Sequence, residues 1–231
     1  MAAVGTAIAK PVSAMLSRTE SSSPCKVLLI NGSPRPDGNT FCALREIETQ
    51  LKQHGVETEI LQIGAQPVRM CINCGGCRRN GGKGCVFDDD LCNEIARKMA
   101  SADALVVGTP VYYGQPNGGI LALMQRLFFS SGAVVRDKPA AAVAVCRRGG
   151  ATATLQTMNM MFEMMNMPVV TSQYWNIVYG MDKGEAKLDT EGMQTMRTLA
   201  NNMAWLLEKI HAGGETSPQR GERPAMMNFI R

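Results

Sequence analysis

The sequence predicts a doubly wound α/β fold, in which helices cover both faces of a five-stranded parallel sheet. From Lys26 onward, short β-branched and apolar runs alternate with segments whose apolar residues recur at helical spacing. The first run, KVLLIN at 26–31, carries an unbroken apolar stretch, as expected of a strand buried on both faces. The 231 residues are 45% hydrophobic and 19% charged, which indicates one globular core rather than a disordered chain.

Each predicted element follows from such a run or stripe. The predicted strands comprise residues 26–31, 56–63, 102–110, 138–146 and 168–178. In the first helix the apolar residues from Phe41 to Leu51 share one face, and the helix ends near His54, before Gly55. The later predicted helices comprise residues 88–101, 117–131, 152–165 and an amphipathic segment from Met193 to Ile210. Because such sheets bind ligands beyond the carboxyl ends of their strands, the loops there are expected to hold the chemistry.

Residues 25–211 are predicted to form a single domain, since no linker divides them. Residues 1–24 are expected to be a poorly ordered arm or an export-signal remnant, because an apolar stretch and a small-residue site occur there without a preceding basic region. We therefore expect a cytoplasmic protein, with export as the alternative if residues 1–14 are the end of a truncated signal. The tail, 212–231, is expected to wrap the surface or a neighbouring subunit. No apolar run approaches the roughly 20 residues of a membrane helix, so no span is predicted.

The charge pattern favours a small phosphate-bearing ligand over a polynucleotide. The formal net charge is +4, and the basic residues are scattered without interleaved aromatic residues. We therefore expect no nucleic-acid partner and a small-molecule electron acceptor or substrate instead.

The loop at residues 32–40, GSPRPDGNT, is the first candidate site and is called the phosphate loop below. It leads from a buried strand into a helix, where unpaired backbone N–H groups and the helix dipole favour an anion. Its candidate binding residues are Ser33, Arg35, Gly38, Asn39 and Thr40. The loop is neither the lysine-bearing P-loop nor the G-x-G-x-x-G fingerprint, which disfavours ATP chemistry and a tightly held NAD. The alternative is an ordinary polar turn that caps the helix.

Several motifs resemble the NAD(P)H-dependent FMN reductases of the flavodoxin superfamily. LLINGSPRPDGNT is similar to that family's phosphate loop, and TPVYYGQPNG at 109–118 is similar to its second flavin loop. The resemblance continues through CRRGGATATLQTMN at 146–159, MPVVTSQYWNIVYG at 167–180 and the terminal NFIR. It implies a flavodoxin-like fold, bound FMN, NAD(P)H as a transient co-substrate, and a homodimer or homotetramer with flavin sites near subunit interfaces.

Two further loops are expected to border the flavin. The residues after the third strand offer aromatic faces for stacking and free N–H groups for the polar edge of the ring; these are Pro110, Val111, Tyr112, Tyr113 and Gly114. The residues after the fourth strand offer positive charge to the ring or to a nicotinamide phosphate; these are Arg147, Arg148, Gly149 and Gly150. The alternatives are two half-buried tyrosines at a strand end and a solvated pair of arginines. Trp175, in the fifth predicted strand, is either near the ring or interface, as the resemblance implies, or a core residue.

Four thiols with close spacing form a candidate metal site: Cys71, Cys74, Cys77 and Cys85. This Cys-x2-Cys-x2-Cys-x7-Cys pattern has the spacing of a thiolate-bound iron–sulfur cluster or zinc ion. It resembles the compact motif of iron–sulfur flavoproteins, a sister group with the same fold, although the final gap here is longer. Three interpretations stay open: a [4Fe–4S] cluster, zinc, or a metal-free loop that shapes the substrate entrance.

The functional hypothesis is an FMN-dependent oxidoreductase that passes electrons from NAD(P)H to a quinone, a flavin, another small electrophile or a partner protein. No catalytic side chains are predicted, because the cofactor performs the redox step and the protein supplies position and electrostatics. One alternative is an iron–sulfur flavoprotein that carries electrons through a [4Fe–4S] cluster. Another is a non-catalytic flavin-binding sensor.

Overall fold

The computed structural model describes residues 24–214 and residue 218. The predictions of an N-terminal arm or export remnant, and most of the prediction for the tail, lie outside the described residues.

A parallel sheet forms the centre of the molecule and confirms the predicted fold class. Its strands have the order β2-β1-β3-β5-β6, with β4 paired antiparallel to the end of β3. Their bounds are β1 Lys26–Asn31, β2 Glu57–Gln62, β3 Ala104–Tyr112, β4 Gln115–Pro116, β5 Ala140–Cys146 and β6 Ile177–Tyr179. The chain moves outward from β1 in one direction to β2 and then crosses back to β3, so the switch point lies between β1 and β3.

Helices cover both faces, as the two-residue period of the strands requires. The helices are α1 Asn39–Gln53, α2 Gly76–Arg79, α3 Cys92–Ala100, α4 Gly118–Val135, α5 Ala151–Met164 and α6 Thr190–Ala212, with a 3₁₀ turn at Glu185–Leu188. In β1, Leu28 and Ile30 face the cluster built with α3, α4 and α5. Val27 and Leu29 face the cluster built with α1 and α6. The chain therefore buries two apolar layers against one sheet.

Two boundaries differ from the prediction for visible reasons. The predicted helix at 88–101 begins at Cys92 rather than residue 88, because residues 89–91 form a turn in which the Asp90 carboxylate accepts a hydrogen bond from the Cys92 N–H at 3.1 Å. The last strand is only Ile177–Tyr179, with an isolated bridge at Val169. Between these the chain leaves the sheet, and Trp175 is 54% exposed, so the alternative of a core tryptophan is wrong.

One described helix, α4, is long and apolar enough to cross a membrane by length and composition alone. Half of this helix is buried, and its inner side packs in the same apolar cluster as Ile30 and Val107 of the sheet. In this structure α4 is therefore a core helix of the domain.

Candidate functional site

A polar network beneath the phosphate loop holds its backbone in place. Asn31, fully buried at the end of β1, accepts a hydrogen bond from the Ser33 N–H at 3.1 Å and donates to the Arg35 carbonyl at 3.4 Å. Its side-chain amide also donates to the side chain of Gln62. Gln62, at the end of β2, donates to the Ser33 carbonyl at 2.5 Å. Sequence reasoning missed both residues, although polar residues that end apolar strands were a readable signal.

The start of α1 presents unpaired N–H groups to the surface, as an anion site requires. No side chain caps this helix, and its first turn has no acidic residue. Among the described hydrogen bonds, the first helical N–H with a backbone partner is that of Cys42, which donates to the Gly38 carbonyl. Arg35 is exposed beside this turn, whereas Ser33 and Thr40 are buried. Because helix N-termini bind phosphate through such N–H groups, this observation fits the FMN phosphate.

The side chain of Asn39 has a different task from the one predicted. It donates to the Asp182 carbonyl at 2.9 Å and accepts from the Gly184 and Ala186 N–H groups at 3.0 and 3.1 Å. The side chain of Asn39 therefore joins the phosphate loop to residues 182–186. Its backbone N–H takes part in none of these contacts. In the same contact Lys183 pairs with Asp37, and its ammonium group lowers the pKa of that exposed carboxyl.

Gly32 allows the phosphate loop to approach β3 closely. Its N–H donates to the Gly108 carbonyl at 2.7 Å, and a Cβ atom at residue 32 would lie 2.7 Å from that same oxygen. The same Cβ would lie 2.9 Å from the Ile120 side chain. The residue at position 32 must therefore be glycine for the two loops to meet at the switch point, whereas Gly38 has an ordinary extended φ of −80°.

A hairpin carries the two predicted tyrosines and is called the tyrosine hairpin below. Val111 pairs with Pro116 and Tyr112 with Gln115, which leaves Tyr113 and Gly114 as the two turn residues, both with positive φ. This is the backbone of a two-residue hairpin turn that matches strand twist. Tyr113 is fully exposed, at 106% of its reference area, and Tyr112 is half-exposed. Both rings are therefore accessible for stacking.

The arginine loop, residues 147–150, contacts the tyrosine hairpin. A Cβ at Gly150 would lie 2.7 Å from the Gly114 Cα, and Gly150 has a φ of +87° that side chains rarely adopt. Arg147 and Arg148 are exposed. At the base of the hairpin, the buried Thr109 hydroxyl accepts from the Asn117 N–H at 3.0 Å, and the Asn117 side chain caps α4 through the Gly119 N–H at 2.9 Å. These anchors were not predicted.

The four motif cysteines line one small concavity. Its other lining residues include Ile72, Val86, Phe87, Arg126 and Phe129. Two backbone N–H groups donate to sulfur there: Gly76 to the Cys74 Sγ and Phe87 to the Cys85 Sγ, each at 3.5 Å. Gly75 precedes α2 with a φ of 68°, which turns the chain between the second and third cysteines. N–H groups directed at sulfur stabilise thiolates and bound clusters, so the donor set fits an iron–sulfur group.

The arrangement fits zinc less well. In a tetrahedral zinc site with Zn–S bonds of about 2.3 Å, the sulfurs lie about 3.8 Å apart. Among the described residues, three potential ligand atoms come within 4.8 Å of one another at Cys25, Asp103 and His211, and not at the cysteine motif. In that other group the Nε2 atom of His211 lies 3.3 Å from a carboxylate oxygen of Asp103.

Comparisons with known proteins agree with this geometry. The chain matches the family described as NADPH-dependent FMN reductase over residues 25–182. It is 35% identical over 193 residues to an iron–sulfur flavoprotein of Methanocaldococcus jannaschii, covering 80% of this chain and 98% of that protein.

Solved structures show the same fold. RosB, solved with bound 8-demethyl-8-formylriboflavin-5'-phosphate, aligns with a TM-score of 0.61 at 16% identity, covering 90% of this chain and 92% of RosB. A flavodoxin, WrbA-like protein from Agrobacterium tumefaciens aligns with a TM-score of 0.56 at 16% identity, covering 81% and 99%. The predicted flavodoxin-like architecture is confirmed.

Proposed function

Because the chain belongs to the NADPH-dependent FMN reductase family and is thus an FMN-binding flavin oxidoreductase, we propose that it takes electrons from NAD(P)H and passes them, through FMN and a [4Fe–4S] cluster, to a small acceptor or a partner protein. The observation that carries this proposal is the placement of the phosphate loop, the tyrosine hairpin and the arginine loop at one edge of the sheet, with a four-cysteine concavity beside α4.

We assign the flavin phosphate to the start of α1. The backbone N–H groups there, with Ser33, Arg35, Gly38 and Thr40, supply donors and positive charge. Asn39 contributes through its backbone, since its side chain holds residues 182–186. When bound, FMN supplies the exchange between two-electron and one-electron transfer that links a nicotinamide to a one-electron partner.

We assign the isoalloxazine ring to the tyrosine hairpin and the arginine loop. Tyr112 and Tyr113 offer exposed aromatic faces, and Pro110, Val111 and Gly114 provide the backbone around them. Arg147 and Arg148, followed by Gly149 and Gly150, place exposed guanidinium groups where they can meet the ring edge or a nicotinamide phosphate.

We assign the cluster to Cys71, Cys74, Cys77 and Cys85. The concavity they line and the two N–H···S hydrogen bonds support this assignment, as does the likeness to iron–sulfur flavoproteins. When bound, the cluster supplies one-electron transfer.

We also propose a homo-oligomer. Apolar side chains around the concavity remain half-exposed, namely Ile72, Val86 and Phe129. A contiguous apolar surface of this kind is typical of a protein contact. Sedimentation of the full chain tests this, and a monomer at micromolar concentration would contradict it.

The decisive experiment is anaerobic purification of the full chain, followed by measurement of FMN, iron and acid-labile sulfide per chain and stopped-flow reduction with NADPH and NADH. We expect one FMN per chain, about four iron and four sulfide, and flavin bleaching by at least one nicotinamide. Cys74→Ser should lower iron and sulfide but leave FMN in place. Cys42→Ser, a partly buried cysteine outside the motif, is the matched control and should change neither.

Each failure points to a different part of the proposal. Flavin without iron after reconstitution would refute the cluster. Bound flavin that neither nicotinamide reduces would refute the proposed electron donor.

A further inference from the structure

Arg126 is a charged residue in an apolar place. It lies in the middle of α4, is 1% exposed, and is among the largest fully buried side chains of the described residues. Burying a guanidinium is costly unless its partners are well placed, and a hydrophobic residue of similar volume often does as well for stability. Core packing alone therefore does not explain why an arginine occupies this position.

The guanidinium joins the two ends of the segment that carries the four cysteines. Its Nη1 donates to the Arg69 carbonyl at 2.9 Å, and its Nη2 donates to the Asp90 carboxylate. The other oxygen of Asp90 accepts from the Arg69 N–H at 3.1 Å. Residues 69 and 90 thus meet at Arg126. Residues 70–89, here called the cysteine loop, project from that junction, and the contacts among residues 69, 90 and 126 are called the neck of the loop.

One nitrogen of Arg126 takes part in neither of these hydrogen bonds. This Nε atom is buried and has no hydrogen-bond partner among the described residues, although the guanidinium also interacts with the buried Cys92 thiol on α3. Arg126 is also part of the wall of the concavity that the four cysteines line. A buried N–H without a partner is rare and costs roughly 1–3 kcal/mol, so a ligand that accepts from it would remove that cost.

We propose that Arg126 is a positioning residue for the iron–sulfur group: it closes the neck of the cysteine loop and donates its Nε–H to sulfur held there. This inference rests on the proposed function, because the acceptor is the cluster or its thiolates. The neck contacts hold the ligands in register before the metal binds, and the remaining N–H stabilises the negative charge of the loaded site. Residues that orient metal ligands in this way typically change metal affinity about 10- to 100-fold when replaced.

Two variants separate the two roles. Arg126→Met combined with Asp90→Asn opens the neck without leaving a buried charge unpaired. Arg126→Lys keeps the positive charge but cannot span two acceptors or offer the Nε–H. Arg97→Met, an exposed arginine on the neighbouring α3, is the matched control.

The full chain is reconstituted anaerobically with iron and sulfide, and four quantities are measured: iron retention against a chelator, the midpoint potential of the cluster, hydrogen exchange over residues 70–89, and FMN affinity. The double variant should lose iron about 10- to 100-fold more readily and exchange faster in the cysteine loop, with unchanged FMN affinity. Arg126→Lys should show a more negative midpoint potential, because hydrogen bonds to sulfur favour the reduced cluster. Arg97→Met should match the wild type in all four.

The possible failures are distinct. A wild type that takes up no iron refutes the proposed cluster and the donor role together, and exchange over residues 70–89 then decides the neck role alone. A wild type that holds iron while both Arg126 variants match it in retention, potential and loop exchange refutes this inference and leaves the proposed function standing. If the double variant does not fold, Arg126→Lys alone decides.

Discussion

The substitution Gly32→Ala tests whether the close approach of the phosphate loop to β3 makes the flavin site. The new Cβ would lie 2.7 Å from the Gly108 carbonyl oxygen and 2.9 Å from the Ile120 Cβ. Ordinary contact begins near 3.4 Å, so the loop and strand must separate by about 0.7 Å or the 2.7 Å hydrogen bond from Gly32 to Gly108 must break. Since both obstacles are backbone or a buried side chain, no flexible group can simply move aside.

The expected cost follows from these contacts. Overpacking costs about 1–3 kcal/mol, and the lost hydrogen bond adds about 1 kcal/mol, so the free energy of unfolding should fall by about 2–4 kcal/mol. A displaced loop also weakens its contact with the phosphate. The loss of one hydrogen bond to a charged group, about 1.5–3 kcal/mol, raises the FMN dissociation constant about 10- to 150-fold.

Urea denaturation of the flavin-free protein and fluorescence titration with FMN measure these two effects. Gly118→Ala is the matched control, because its Cβ would meet nothing within 4 Å at the start of α4. Alanine is also the better helix former, so this variant should be as stable as the wild type or up to about 1 kcal/mol more stable. The reasoning is refuted if Gly32→Ala matches Gly118→Ala in both unfolding and FMN affinity.

Three further predictions address other parts of the site. Arg35→Ala should leave the fold intact, because the side chain is exposed. It should raise the FMN dissociation constant about 2- to 5-fold at low salt, and titration in high salt should reduce that difference. An effect that does not depend on salt would contradict an electrostatic role. Tyr113→Asn removes the fully exposed ring and gives the hairpin an Asn-Gly turn, which suits the positive φ of both residues. The midpoint of thermal unfolding should therefore not change, whereas FMN affinity should fall about 2- to 10-fold. Unaltered affinity would contradict a stacking role for Tyr113. Burial raises the pKa of the Cys92 and Cys146 thiols above the ordinary value of 9.0. Peptide mapping after brief alkylation of the native protein should therefore show the exposed Cys74 modified and these two thiols protected. Equal labelling of all three would contradict the packing. Because the folded state holds these protons more tightly than the unfolded chain, the same shift lowers stability as the pH rises beyond about 9, which denaturation across that range can detect.

The strands and helices of the domain could be predicted because each one has a local signal. The apolar run at Val27–Ile30 and the stripe on α1 mark their elements within a few residues. The fifth strand was longer in the prediction than in the structure, since residues 171–175 have strand-like composition but leave the sheet beyond the short pairing with β5. Local propensity cannot report whether a neighbouring strand is present to pair with.

Some residues of the candidate site could likewise be predicted from the sequence, and others could not. The phosphate loop, the tyrosine pair and the four cysteines could be predicted as candidate sites because residue type and spacing along the sequence are enough to suggest them. The roles of Gln62 and Gly32 were not predicted, since each acts through a partner far away in the sequence, the Ser33 and Gly108 carbonyls. Asn31 was missed although two of its partners, Ser33 and Arg35, are close in the sequence.

The sequence by itself determined the fold class and the places of the candidate anion-binding loop and the candidate thiol donor set, because strand period, helix stripe and cysteine spacing are properties of neighbouring residues. Only the tertiary structure decided that Asn39 holds residues 182–186, that Trp175 is exposed, and that Arg126 closes the cysteine loop. The physical reason is that burial and hydrogen bonding depend on which distant segments come together, and that is settled by packing of the whole chain rather than by any single stretch of it.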